Sequence, residues 1–168
     1  MSTTLSYDEL KEEIIQELKK YPIGVLATSE GNYVTARHMM LIADGLKISC
    51  FTFTTTRKFK QISANKNVAL VANNIQIDGV VTLKGHTNDP KNKYFLEAFE
   101  KLQPEIYKMY REVCLDPKSN AELIEISPKR IAIFRGGYPD SKTDVLNIEN
   151  KTAVRYSGKD ILEGENYQ

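Results

Sequence analysis

Residues Phe51–Leu70 read FTFTTTRKFKQISANKNVAL. Alternation over Phe51–Phe53 predicts the end of a β-strand, and Thr54-Thr-Thr56 and Arg57-Lys58 follow it. A short helical pattern then spans 57–65, and Asn65-Lys-Asn67 turns the chain into an apolar strand over Val68–Ala72. Hydroxyls, backbone N–H groups and two cations therefore meet at a helix start. Orphan N–H groups and the helix dipole both favour an anion there, and a phosphate suits the place. Cations beside a helix N-terminus oppose the dipole, so this placement calls for an offsetting anion.

Upstream, Leu46–Phe53 is expected to return antiparallel from Tyr33–Ile42 across the hairpin signal Asp44-Gly45. Ile23–Thr28 reads as an earlier strand, with Ser29-Glu-Gly-Asn32 as its turn. Arg37 stands mid-strand in a largely apolar run, where an unpaired buried guanidinium would be costly. Alone it reads as solvent-facing. Pairing of the two strands would bring it toward the threonine turn, where Arg37, Arg57 and Lys58 together read as a phosphate site. At the start of the chain, Ser6 and Glu9 form a capping box before Leu10, Ile14 and Leu18. That predicts an amphipathic helix of about 13 residues stopped at Pro22 and packed over one end of a sheet.

Downstream, Asn73–Asp78 reads as a polar connection and Gly79–Gly85 as a fifth strand. Asp89-Pro90 is an N-cap with Pro at the first helical position. Leu96, Phe99 and Leu102, then Ile106, Met109 and Val113 beyond Pro104, give two helical segments whose apolar stripe reads as core. Glu122–Ile126 and Arg130–Phe134 resume β character. Val145, Leu146 and Ile148 form either a closing edge strand or a surface for a partner, and the tail beyond Ser157 is expected to fray.

The 168 residues carry 23 Lys and Arg against 22 Asp and Glu, which gives no broad basic face for nucleic acid. No apolar run reaches the length of a membrane span, and an acidic, helical start is unlike a signal peptide. Cys50 and Cys114 lack metal-ligand spacing and read as reduced thiols of a cytoplasmic protein. His38 and His86 are the only histidines, and each reads as structural, since His38 points away from the face that Arg37 uses. Nothing marks a metal site, a Ser-His-Asp or Cys-His arrangement, or a glycine fingerprint for nucleotides.

The stretches Tyr21–Thr28 (YPIGVLAT), Gly31–Arg37 (GNYVTAR), Phe51-Thr52 with Thr56-Arg57-Lys58, and Asn65–Leu70 (NKNVAL) occur in one order. In that order they resemble the FMN-binding split-barrel proteins related to pyridoxamine 5′-phosphate oxidase, from about Pro22 to Gly137. The resemblance implies a mainly β (α+β) fold: a six-stranded antiparallel split β-barrel with flanking helices. It divides the chain into a helix over 1–21, an FMN-binding domain over 22–137 with a helical insertion at 89–114, and an extension over 138–168. A homodimer holding FMN in clefts at the subunit interface is implied as well. Arg37 would reach the phosphate, and Met39 and Met40 would lie along the ring, with His38 in the same cofactor-contacting strand. Phe51 and Thr52 would border the isoalloxazine, and Thr56, Arg57 and Lys58 would clamp the phosphate.

Two departures stand out. The oxidases open the fifth strand with a glutamine that touches the flavin; Gly79 stands near that place here, and Gln76 is the closest substitute. They also carry an Arg-Leu-His-x-Arg segment after a double glycine, whereas Tyr138–Lys142 here lacks both arginines. The resemblance therefore implies an FMN-dependent oxidoreductase acting on an unidentified small molecule, and the two departures tell against a B6 vitamer. A flavin-binding, stress-associated protein with little turnover and a deazaflavin-binding relative are the alternatives. No side chain stands out as a catalytic acid or base; Tyr138 and His38 are the only candidates.

Overall fold

A computed structural model describes residues 2–137 and 139–162. Helix α1 (Tyr7–Leu18) starts as the capping box predicts, with Ser6 Oγ accepting from the Glu9 N–H at 3.4 Å. Its buried Leu10, Ile14 and Leu18 join the main core. Each such side chain contributes roughly 1.5–3 kcal/mol.

The described residues form ten strands in one antiparallel sheet rather than six. They are β1 (Thr3–Thr4), β2 (Ile23–Glu30), β3 (Tyr33–Met40), β4 (Ile42–Asp44), β5 (Lys47–Phe53), β6 (Asn67–Ala72), β7 (Ile75–His86), β8 (Ala121–Arg135), β9 (Lys142–Asn147) and β10 (Thr152–Ser157). The order is β1-β10-β9-β8-β7-β6-β2-β3, with β5 joining β8 to β4. Met39 of β3 and Ile48 of β5, from opposite ends of the bonded path, share one core with Leu26, Leu70, Ile77 and Ile126. The sheet therefore curls around that core, and β3 approaches β5 without bonding to it.

Several boundaries differ from expectation for local reasons. Tyr33–Ile42 is two strands, because β3 loses its partner at Pro22: Leu41 N–H still donates to Pro22 O at 2.8 Å, but proline has no N–H to return the bond. Strand β7 begins at Ile75, not Gly79. Asn73, at φ 53°, makes a tight turn with Asn74, and Ile75 and Ile77 alternate inward between Gln76 and Asp78. Gly79 is instead a bulge position, where a Cβ would stand 2.9 Å from Ser127 O. The strands expected at 122–126 and 130–134 are one bent strand, with Lys129 bypassed in the pairing of Pro128 with Gly79 and Arg130 with Asp78. Strands β9 and β10 close the C-terminal side, and Gly158–Leu162 forms a short helix (α5) where fraying was expected. Residues 163–168 and Tyr138 lie outside the described residues.

Helix α2 (Arg57–Ala64) buries Gln61 and Ile62 against the curled sheet. The insertion is a 3-10 turn (Pro90–Asn92), α3 (Lys93–Leu102) and α4 (Pro104–Leu115). It builds a second core from Phe95, Phe99, Tyr107 and Cys114 against Ile42 and Leu123. β8 thus divides two cores: Leu123 faces the helices, and Ile124 faces the curled sheet.

Candidate functional site

Strand β3 presents Thr35, Arg37 and Met39 on its inner face and Ala36, His38 and Met40 on its outer face, by the alternation of a strand. Arg37 is not brought to the threonine turn by pairing of β3 with β5, because β3 pairs only with β2. Helix α2 makes the connection instead. It crosses the β2–β3 hairpin and sets Thr56, Arg57 and Lys58 beside Arg37 around a shallow cavity of about 400 Å³, with Thr35 and Ala36 completing the wall. Thr56 caps the helix: its Oγ1 accepts from Phe59 N–H at 3.4 Å, donates to Phe53 O at 2.7 Å, and lies 3.1 Å from Thr52 Oγ1.

The Arg37 guanidinium is held by neutral acceptors. Nη1 donates to Leu26 O at 2.9 Å and Thr28 Oγ1 at 2.8 Å. Nη2 donates to Thr35 Oγ1 and, at 3.4 Å, to Gln61 Oε1. Arg57 lies over the Tyr33 ring at 5.9 Å and donates to its hydroxyl at 3.3 Å. Among the described residues, none of Arg37, Arg57 and Lys58 has a carboxylate within ion-pair distance. Burial, then the charge of Arg57, lowers the pKa of Arg37; burial, then the charge of Arg37, lowers that of Lys58. Three cations without a carboxylate partner among the described residues thus gather around hydroxyls and a helix start.

The remaining expected residues are spread more widely. Thr52 is buried and does not line the cavity, but its hydroxyl contacts that of Thr56, which does. Met39 is 7% exposed, inside the main core, and leaves a ligand little beyond its backbone. Met40 and Phe51 are half-buried against the helical core, where Phe51 meets Phe53, Phe99 and Tyr110. His38 is exposed on the outer sheet face. Gln76 is the second residue of β7, so a glutamine does stand at the opening of that strand. It lies on the outer face level with Val71, Val25 and His38, three strands from β3.

Thr28, Thr35 and Gln61 were not singled out from the sequence, yet they hold Arg37 in place. Thr35 shares the strand face of Arg37 at period two, and Gln61 lies one turn beyond Arg57. Those spacings were the available signal. His86 contacts Ser119 Oγ through Nε2 at 3.0 Å, but its Nδ1 accepts from Asn88 N–H at 3.0 Å. The proton is therefore on Nε2, and the ring cannot deprotonate Ser119. Cys50 and Cys114 are buried thiols, raised by burial to about 12 and about 11, values that keep them unreactive. A second cavity of about 410 Å³ lies between α1 and the α3–α4 junction, lined by residues including Leu18, Leu41, Leu102 and Ile106. Two of its charges pair locally, Lys20 with Glu17 at 2.5 Å and Glu105 with Lys108 at 2.8 Å, and Lys19 donates to Gln16 Oε1 at 3.4 Å.

No protein-family profile and no curated protein sequence matches the chain. Solved structures do. A Clostridium acetobutylicum protein related to general stress protein 26, of the pyridoxinephosphate oxidase family, aligns with a TM-score of 0.60 at 18% identity, over 86% of this chain and 98% of that one. A pyridoxamine 5′-phosphate oxidase-related, FMN-binding protein from Nostoc punctiforme aligns at 0.52 and 15%, over 88% and 92%. HutZ, the haem storage protein of Vibrio cholerae, aligns at 0.58 and 12%, over 73% and 94%. The chain thus has the fold shared by pyridoxamine 5′-phosphate oxidase-like, FMN-binding and general stress proteins, which haem-storing proteins share as well.

Proposed function

We propose that this protein binds FMN and acts, as a cytoplasmic homodimer, as an FMN-dependent oxidoreductase on a small molecule. The observation that carries the reading is the cluster of Arg37, Arg57 and Lys58 around the start of α2. Its net positive charge fits a phosphate monoester and does not fit a neutral ligand end. Bound FMN would supply the redox chemistry, since no side chain of this site is redox-active. Arg57 and Lys58 would donate to the phosphate, Thr56 would hold the helix start beneath it, and Arg37 would add its charge from behind. In the split-barrel reading, the unpaired edges of β3 and β4 border the split.

The dimer is supported by the outer face of β2, β3, β6 and β8, where Ile23, Val34, Val71 and Phe134 are exposed, Val34 by 65%. An apolar face of that kind marks an association surface. A second copy covering it would border a cleft containing His38, Met40 and Gln76. Haem is the less favoured ligand: His86 has both ring nitrogens engaged, which leaves His38 as the one histidine available for an axial bond.

The test is a near-ultraviolet and visible absorbance scan of the purified protein, with mass spectrometry of any released chromophore. Flavin bands and the mass of FMN are expected. A colourless protein that also fails to bind added FMN overturns the reading. A deazaflavin mass or a Soret band would retain the fold and replace the cofactor. Steady-state reduction of bound FMN by a nicotinamide cofactor then separates an oxidoreductase from a flavin-binding, stress-associated protein with little turnover.

A further inference from the structure

Gln61 is a buried amide on whose oxygen two hydroxyls and a guanidinium converge. It is 1% exposed. Its Oε1 accepts from Thr28 Oγ1 at 2.7 Å, Thr35 Oγ1 at 2.7 Å and Arg37 Nη2 at 3.4 Å. Three donors on one oxygen, one of them a guanidinium, match the accepting capacity of an ionised Asp or Glu rather than an amide. The two threonines relay the same polarity, since each accepts from Arg37 and donates to Gln61. Arg37 thus satisfies the donors of both terminal nitrogens within the protein, yet meets no negative charge there. The hydrogen bonds of those two nitrogens are taken up within the protein, and the charge is not balanced there. A half-buried charge of this kind acts on the adjoining cavity through a medium of lower dielectric than water.

We infer that Gln61 is the specificity-determining residue of the anion site: as a neutral acceptor it anchors Arg37 without neutralising it, so the cluster stays positive enough to select a phosphate monoester dianion over an uncharged analogue. The inference rests on the FMN reading above and deepens it. Gln61 touches no ligand in this scheme. It is a positioning residue that acts through Arg37, and through Nε2, which donates to Tyr33 O at 3.3 Å and ties α2 to the strand whose Tyr33 ring lies under Arg57.

The experiment compares FMN with riboflavin, which lacks the phosphate, on the full chain. Fluorescence titration gives both dissociation constants for the wild type, Gln61→Glu and Gln61→Leu, with Tm recorded for each. Gln61→Glu retains an acceptor for both threonine hydroxyls, gives Arg37 an ion-pair partner and loses the bond to Tyr33 O. Its preference for FMN over riboflavin is expected to fall by about tenfold or more, with Tm held. Gln61→Leu removes the acceptor and adds no charge. It is expected to lower Tm while keeping the wild-type preference for FMN. A purely structural role for Gln61 predicts the reverse, with loss of binding following loss of Tm in both variants. Equal preference in Gln61→Glu and wild type overturns the inference, as does a Gln61→Glu chain that does not fold, since the place would then not admit a carboxylate. A wild type that shows no preference for FMN overturns the phosphate-site reading itself, and that result is visible before any variant is compared.

Discussion

Lys58 and Arg37 illustrate how two cations in one cavity are expected to respond differently to removal. Lys58 has no carboxylate partner among the described residues, and burial and Arg37 both oppose its charge. Lys58→Ala should therefore weaken FMN binding while leaving Tm unchanged or raised, as titration and thermal unfolding would show. Arg37→Ala should lower both, because Leu26 O, Thr28 and Thr35 lose their charged donor. Stranding buried acceptors costs about 1–3 kcal/mol. Flavin affinity unchanged in both variants would remove the phosphate from this site. The pH dependence follows from the same pair. With its folded pKa below the ordinary 10.5, Lys58 binds fewer protons in the folded than in the unfolded chain between those two values. Its contribution to the stability of the ligand-free protein therefore rises with pH across that window. A bound phosphate needs the charged form, so FMN affinity should fall across the same window, with riboflavin affinity as the flat reference.

At the scale of elements, Asp144 of β9 is the counterpart of that uncompensated cluster. It is fully buried and accepts from Arg155 Nε at 2.6 Å and Arg135 Nε at 2.6 Å, while Arg135 also reaches Glu13 of α1 at 2.7 Å. Burial alone would raise its pKa; Arg155 and Arg135 outweigh burial and hold it below 3.8. That stabilisation is present above the ordinary carboxylate value and is lost as pH falls through the lower folded one. Asp144→Asn should cost about 3–5 kcal/mol, measured by denaturant unfolding, with α1 loosening from β8–β10. This network also shows why the C-terminal strands were hard to read. Thr143 and Asp144 are buried polar residues that interrupt the apolar period of β9, and their partners lie on other elements. The start of β7 was hidden by its own turn, because four polar residues among six obscured the inward Ile75 and Ile77. Helix α1, the Asp44-Gly45 turn and the helix start after Thr56 were legible because each is set by neighbours within four residues. Arg57 and Lys58 were found as a pair for the same reason, whereas Gln61 acquires its role only when α2 lies across β2 and β3.

At the scale of the whole molecule, the apolar outer face gives a direct test of assembly. Val34→Glu with Val71→Glu places two carboxylates on that face, on the strands either side of β2. Sedimentation should show the wild type as a dimer and the double variant as a folded monomer with weakened FMN binding. A wild-type monomer, or a variant dimer, would move the interface elsewhere. The helical insertion belongs to a different logic. It leaves the sheet after His86 and returns at Ala121, and those two points are already joined: His86 pairs with Glu122, and Thr87 N–H donates to Ala121 O at 3.1 Å. The helices hang from a hairpin that is closed without them and carry a core of their own on the far side of β8. Such a junction makes the insertion a cassette. Its length and surface are free to drift, or to be exchanged by a protein engineer for a short turn, at the price of repainting Ile42, Leu123 and Phe51 with polar side chains, while the sheet that holds Arg37 keeps its register.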